Sequence, residues 1–447
     1  MDEVHTYTGT TGAQTALLLR RWRKMLIAFQ NNSRAHSDAQ IAQVAASMSR
    51  FGNITPIAID GENVIVAGHA RLSAAKKLGL QSVPTVRVDH LSEEEVRLYR
   101  IADNKLAENA TWDERALRLE LEYLSEIDID ISLTGFELPE IDVLLADTGS
   151  DEEHQPEVTP APPGSPVVQE EDVFLLGRHR IICGDCRNSE TMSRLMEGAR
   201  AGVVVTDPPF NVRVNGHVLT GKSKHSEFAM ASGEMSPDEF TAFLVGSFIQ
   251  FREYSVDGSI HFLFMDWRHV REILRAGDQV YDDLLNVCVW AKTNAGMGSL
   301  YRSQHEFIFV FKNGKASHLN NVQLGKFGRN RSNVWTYAGM NTFGKERDEA
   351  LSLHPTVKPT AMIVDAILDA SNRGDVVLDG FLGSGTTLLA AEQTGRIAYG
   401  CEIDPRYIEV AIERFRKVAD APVIHMGSGL DFDDLKAERS VEVPFDE

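Results

Sequence analysis

A carboxylate, two prolines and an aromatic ring stand together at Asp207-Pro208-Pro209-Phe210, directly after the apolar run Val203-Val204-Val205-Thr206. A second cluster, Asp379-Gly380-Phe381-Leu382-Gly383-Ser384-Gly385-Thr386-Thr387, follows Val376-Val377-Leu378. Short apolar runs of this kind read as buried parallel strands, and open α/β sheets bind ligands at the carboxyl ends of such strands. Asp207 supplies an acceptor carboxylate. Proline has no N–H and a fixed φ, so the Pro208 carbonyl is held in place as a second acceptor. Two adjacent acceptors can engage both N–H bonds of an amine and favour a pyramidal nitrogen. Phe210 offers a face against which a planar group can stack.

In the second cluster the glycines let the backbone approach a ligand closely. A helix starting near Thr386 would present unpaired N–H groups. Glu402 follows Gly385 by 17 residues, at the end of a second strand in "RIAYGCEID". An acidic residue at that spacing commonly accepts bonds from ribose hydroxyls. The pattern points to a nucleoside without choosing among nucleosides. His354-Pro355-Thr356-Val357-Lys358-Pro359 precedes a helix over 360–371. Proline there is ordinary helix-start chemistry, while a lysine beside open N–H groups also suits a carboxylate. Asp185, in "CGD" after a strand, reads as a ligand contact or a surface cap.

Together "DPPF" and "FLGSGTT" resemble the amino-methylating DNA methyltransferases, in the motif order of their β subgroup. The resemblance implies S-adenosyl-L-methionine as cofactor and double-stranded DNA as partner. It implies Asp207, Pro208, Pro209 and Phe210 as the catalytic motif. Phe381, Gly383, Ser384, Gly385, Thr386 and Thr387 would contact the cofactor, with Glu402 on its ribose. Thr356 and Lys358 match an "HPTxKP" element that holds the cofactor's amino-acid end, and Asp185 matches one that contacts its adenine. Many relatives have Pro where this chain has Gly380, so a slightly looser turn is expected there.

An exocyclic base amine is a poor nucleophile, because its lone pair is delocalised into the ring. Catalysis is then mostly positioning and electrostatics, with no covalent enzyme intermediate. The base must leave the duplex to be reached. Carbon-5 cytosine methylation would need a Cys, normally after Pro, and none of Cys183, Cys186, Cys288 and Cys401 follows one. In the family a leading Asp goes mostly with adenine N6, so adenine is expected. Cytosine N4 is the enzyme alternative. A non-enzymatic ParB-like regulatory protein with a decayed methyltransferase domain is the alternative of another class. Trp290, Tyr301 and His305 are candidates for the base pocket, with core packing as the other reading of Trp290.

The formal net charge is −20, unusual for a DNA-binding chain. Phosphate contacts need only local basic surface, however. Residues 307–345 contain no Asp or Glu and carry Lys312, Lys315, Lys326, Arg329, Arg331 and Lys345. Residues 208–226 also lack acids and carry Arg213, Lys222 and Lys224. These two windows are the expected DNA-contacting surface, 312–345 being the target-recognition candidate. Phe327, Trp335 and Tyr337 within it read as DNA contacts or as buried loop anchors.

No apolar run is long enough to span a bilayer and no signal-peptide pattern opens the chain, so a cytoplasmic protein without a membrane partner is expected. Four cysteines are too few for a disulfide scaffold, and the lone Cys183/Cys186 pair lacks the second pair a zinc site needs, so no metal is expected.

The expected architecture is α/β throughout. Residues 1–23 form a loosely ordered start and 24–146 a small α/β domain. Residues 147–172 are an acidic, proline-rich linker unable to bury a core. Residues 173–418 form a Rossmann-like methyltransferase sheet of about seven strands, mostly parallel, and 419–447 are an acidic tail. The strands are placed at 180–183, 203–206, 259–264, 285–290, 307–311, 376–378 and 397–400. Segments "VIVAGHARLSAAKKLGLQSVPTVRV" and "YRIADNKLAENATWD" of the first domain resemble ParB/sulfiredoxin-like domains. Its Gly68-His69-Ala70-Arg71 run, between a strand at 64–66 and a helix at 72–78, is an anion-friendly turn for a nucleotide or phosphate. His69 and Ala70 replace the Glu and Arg of ParB relatives, which counts against nucleotide hydrolysis. A homodimer is a further candidate partner.

Overall fold

The computed structural model describes residues 20–21, 26–29, 34–127, 129–145, 159–212, 231, 233–293, 295, 300–322, 331–338 and 357–441. The chain divides into two compact units, Met1–Glu137 and Leu138–Glu447.

The first unit holds a four-stranded sheet in the order Arg20–Arg21, Pro84–Arg87, Ile57–Ile59, Ile65–Ala67. Ile57, Ile59, Ile65, Ala75 and Val83 form its buried core. Gly68 caps the helix His69–Lys77, which starts three residues before the expected one. His69 Nε2 lies 3.4 Å from the Phe29 amide, so one ring nitrogen is occupied inside the unit.

The second unit is built on a ten-stranded sheet. In spatial order its strands are Val334–Tyr337, Asp283–Lys292, His305–Lys312, Ser255–Met265, Ala201–Thr206, Val376–Asp379, Ile397–Glu402, His179–Cys183, Val173–Leu176 and Val423–His425. The five strands from Ser255–Met265 to His179–Cys183 run parallel. Both edges add antiparallel pairs. All seven expected strands are present.

Alternation along a strand explains the layering. Val203 and Val205 pack with Met362, Ile363, Ala366 and Ile367 of the helix Thr360–Ala370. Val204 faces the other way, onto Phe240, Leu244, Phe248 and Phe251 of the helix Pro237–Glu253. Burial on both faces is why this strand reads as a continuous apolar run. Ser236 starts the Pro237–Glu253 helix with a capping box closed by Glu239.

Three segments differ from expectation. Helix Leu138–Leu145 belongs to the second unit, where Asp142 takes both guanidinium arms of the fully buried Arg396 at 2.9 and 2.7 Å. The described end of the supposed linker is not inert: Val168 is a core residue whose amide donates to Glu409 Oε1. The residues after Ala419 also belong to the fold. They add the strand Val423–His425 and the helix Phe432–Val441, which sets Phe432 edge-on against Phe174. Arg439 of that helix pairs with Asp172. Averaged composition hid a short amphipathic helix among the acids.

Among the described residues no helix is long and apolar enough to cross a membrane. The same residues contain no cluster of His, Cys, Asp or Glu able to hold a metal ion.

Candidate functional site

Strand Ala201–Thr206 lies beside Val376–Asp379 in parallel register, Val203 opposite Val377 and Val204 opposite Leu378. Their carboxyl ends therefore open into one region of the sheet edge. A buried hydrogen bond joins them: the Thr206 hydroxyl donates to Asp379 Oδ1 at 2.6 Å. Asp379 Oδ1 also accepts from the Phe381 amide at 3.0 Å. Asp207 and the glycine-rich turn thus leave neighbouring strands from a shared anchor.

Asp207 follows at once. Its Oδ2 accepts from the Lys358 ammonium. Its Oδ1 is buried and has no hydrogen-bond partner among the described residues. An unpaired buried acceptor is costly, of order 1–3 kcal/mol, so such an atom marks a place where a donor belongs. Burial pushes the Asp207 carboxyl above the usual carboxylate range, against the opposing pull of Lys358. Pro208 is buried, while Pro209 and Phe210 are half-exposed. The Lys358 ammonium lies 5.2 Å from the centre of the Phe210 ring.

Asn211 closes the motif with a left-handed backbone, φ 50°. Its side chain is buried and bonds the backbone of Gly233 and Met235 through three contacts, so it ties the end of the motif to that later segment. Polar residues tolerating that backbone are few, and Asn is one of them. Sequence reasoning passed over this residue, although an Asn directly after "DPPF" was visible.

The structure gives Lys358 a role other than the one expected. Its side chain is 7% exposed, and its ammonium contacts Asp207 and, at 3.2 Å, Glu306 Oε2. Two protein carboxylates take the place expected for a cofactor carboxylate. Glu306 Oε1 in turn accepts from Lys292 Nζ at 2.5 Å. Neither Glu306 nor Lys292 was singled out from sequence. They reach the site because strand His305–Lys312 runs antiparallel to Ser255–Met265, pairing Phe307 with Met265 at the carboxyl end of the parallel strands.

The glycine turn is held from beneath. Glu402 Oε2 accepts from the Gly383 amide at 2.8 Å, and Oε1 from the Asp404 amide at 2.9 Å. Burial pushes the Glu402 carboxyl up to about 7. Above Gly383 there is open space: an added Cβ would meet nothing closer than 4.0 Å. Phe381 is half-buried, its ring packed on Phe243 and Phe251. An aromatic face, free space over a glycine and a half-buried carboxylate acceptor together fit an adenosyl group.

Gly385 and its neighbours serve the fold. Gly385 has φ 85°, and a Cβ there would sit 2.8 Å from Ala411 Cβ, so it permits close approach of two helices. The Ser384 and Thr386 hydroxyls are bonded by the buried Arg414 guanidinium at 3.0 and 3.3 Å, facing inward rather than toward a ligand. Thr387 is buried and bonds Asp379. Asp185 closes on the amide and guanidinium of Arg187, the capping alternative. Gly380 does not loosen its turn. A Cβ there would lie 2.3 Å from the Phe251 ring, so the glycine makes room for that phenylalanine. Thr356 lies outside the described residues.

The basic windows are corrected in part. The antiparallel register pairs Lys312 with Ile260, near the amino end of the parallel strands. Lys312 and the following Lys315 therefore sit away from Asp207, and Lys312 pairs with Asp283. Arg331 is bound to Asp365 at 2.8 Å and Asp369 at 3.2 Å, and lies over the Trp335 ring. Trp335 is buried, and the Tyr337 hydroxyl bonds Asp365, so both anchor the fold. Trp290 is likewise a core residue, its indole N–H donating to the Tyr337 carbonyl. Tyr301 is 84% exposed and His305 half-buried against Phe307. An acid-free stretch of sequence draws its partners from elsewhere in the fold. Arg213, Lys222, Lys224, Lys326, Arg329, Phe327 and Lys345 lie outside the described residues.

Three family models match this chain. A DNA methylase family of N6/N4 type matches residues 201–413. A ParB N-terminal domain matches 24–105 and a ParB-methyltransferase HTH domain matches 115–170. The type II methyltransferase M.HpaI of Haemophilus parainfluenzae is 26% identical over 243 residues, 51% of this chain and 72% of that protein. M.HinfI of Haemophilus influenzae is 27% identical over 265 residues, 54% of this chain and 69% of that protein. The solved PvuII DNA methyltransferase, described as cytosine-N4-specific, is 15% identical with a TM-score of 0.41, covering 62% of this chain and 94% of that one. Residues 201–413 are thus a DNA methylase domain of the N6/N4 family, with ParB N-terminal and ParB-methyltransferase HTH domains ahead of it.

Proposed function

We propose that this chain transfers the methyl group of S-adenosyl-L-methionine to the exocyclic N6 amine of an adenine flipped out of double-stranded DNA. The observation that carries the reading is the buried, unpartnered Asp207 Oδ1 at the strand end beside the glycine turn. That oxygen accepts one N–H of the amine, and the Pro208 carbonyl accepts the other. Engaging both bonds favours a pyramidal nitrogen with its lone pair directed outward. Phe210 stacks on the base and helps keep it out of the duplex. S-adenosyl-L-methionine supplies an electrophilic methyl on a sulfonium. Phe381, the open face of Gly383 and Glu402 would hold it, with Glu402 as the acceptor for the ribose hydroxyls. Asp207 at the head of the motif favours adenine over cytosine N4. Arg213, Lys222, Lys224, Lys326 and Arg329 remain the proposed DNA contacts.

The test is transfer of labelled methyl to DNA, followed by digestion to nucleosides, with Asp207→Ala as control. Label in N6-methyladenine, absent with the variant, is expected. Label in N4-methylcytosine would move the assignment to the other base. A well-folded protein that labels no DNA of any sequence would favour a binding module.

A further inference from the structure

Asp207 does not meet Lys358 alone. The charges alternate in a row that is buried at its middle and partly exposed at its ends: Asp207, Lys358, Glu306, Lys292. Lys358 is the shared member, with an ammonium divided between two carboxylates. Glu306 is divided in the same way, between Lys358 and Lys292. The side chains of Lys358 and Glu306 are 7% and 14% exposed, so water does little to screen these contacts. Whatever strengthens one contact in such a row weakens the next.

Resting on the methyl-transfer reading above, we propose that Glu306 and Lys292 are positioning residues that set how much of the Lys358 ammonium Asp207 receives. An Asp207 bound too tightly by Lys358 would be a poor acceptor for the amine protons. An Asp207 without Lys358 would take up a proton of its own and lose its acceptor role. Glu306 draws Lys358 partly away, and Lys292 limits that draw. When the amine nitrogen bonds the methyl carbon and the carbon–sulfur bond breaks, the nitrogen gains a positive charge. Its surplus proton passes to Asp207 Oδ1 and leaves with solvent exchange. The donor is left as a neutral thioether, so charge and protons balance.

The charged groups facing Asp207 are Lys358, which lowers its proton affinity, and Glu306 and Asp379, which raise it. Those facing Glu306 are Lys358 and Lys292, both lowering its proton affinity, and Asp207 on the far side of Lys358. The two variants therefore have opposite signs. Glu306→Gln removes a negative charge and returns Lys358 to Asp207, so Asp207 becomes less basic. Lys292→Met leaves Glu306 uncompensated, so Asp207 becomes more basic.

The experiment follows the acid limb of kcat for methyl transfer against pH in the full chain. A parallel titration of the Asp207 carboxyl uses carbon-13-labelled protein without donor or DNA, with Asp207→Asn to assign the signal. Glu306→Gln is expected to move the limb and the titration down by about one pH unit, and Lys292→Met to move both up by a similar amount. Glu306→Gln should also lower the plateau of kcat about tenfold, with donor binding unchanged. Shifts of the same sign in both variants, or none in a folded variant that binds the donor, overturn the proposal. Should one variant not fold, the sign of the other decides. A wild-type chain without methyl transfer sinks the functional reading, whereas the carboxyl titration still reports on the row of charges.

Discussion

The Thr206 hydroxyl donates to Asp379 Oδ1 at 2.6 Å, joining the residue before Asp207 to the residue before the glycine-rich turn. Both groups are buried. One bond thus sets the spacing between the proposed amine acceptor and the proposed donor site. Thr206→Val keeps the shape and removes one donor, leaving the buried Asp379 carboxylate with the Phe381 amide and Thr387. A loss of about 1–3 kcal/mol is expected in chemical denaturation. The dissociation constant for S-adenosylmethionine should rise as well. Unchanged donor affinity would show that the bond serves stability alone.

Asp207→Ala removes the free acceptor. Methyl transfer should fall by about a thousandfold, while donor binding by calorimetry stays near wild type. A parallel loss of donor binding would place Asp207 in the cofactor site instead.

The Glu402 carboxyl titrates near 7 in the folded chain because burial disfavours its charge. Its unfolded value is lower, so its contribution to stability is full below that value. The contribution is lost as pH rises through 7. Denaturation midpoints should decline between about pH 4.5 and 7, and Glu402→Gln should flatten that decline. The ionised form is the better acceptor for ribose hydroxyls, so donor affinity should rise from pH 6 to pH 8. Denaturation and calorimetry across that range check both signs.

Arg331 is expected to support the fold rather than DNA. Arg331→Met leaves Asp365 and Asp369 without their shared cation and should cost about 2 kcal/mol, between the values for surface and buried pairs. The salt dependence of DNA binding should keep its slope. A slope reduced by one phosphate contact would restore Arg331 to the DNA surface.

Gly380→Ala forces a methyl into the Phe251 ring. A loss of about 1–3 kcal/mol is expected by denaturant titration. Combining it with Phe251→Leu should recover part of the loss, because the two side chains compete for one space.

What could be read along the chain was whatever depends on neighbours in sequence. "DPPF" and "FLGSGTT" each end a short apolar run, and a run buried on both faces is legible because every residue in it is apolar. The spacing of Glu402 was legible because one helix and one strand have nearly fixed lengths. What could not be read was the destination of each charge. Lys358 and Arg331 carry the same sign in sequence, yet one faces Asp207 and the other two aspartates of a neighbouring helix. Glu306 and Lys292 come to the site only through antiparallel pairing with strands far away in the chain. Lys312, on the same strand as Glu306, ends at the opposite end of the sheet. Charge pairing is long-range and depends on register. Local composition carries no information about register, so the sequence by itself determined the two motifs and their strands, and only the tertiary structure decided which ionic groups surround them.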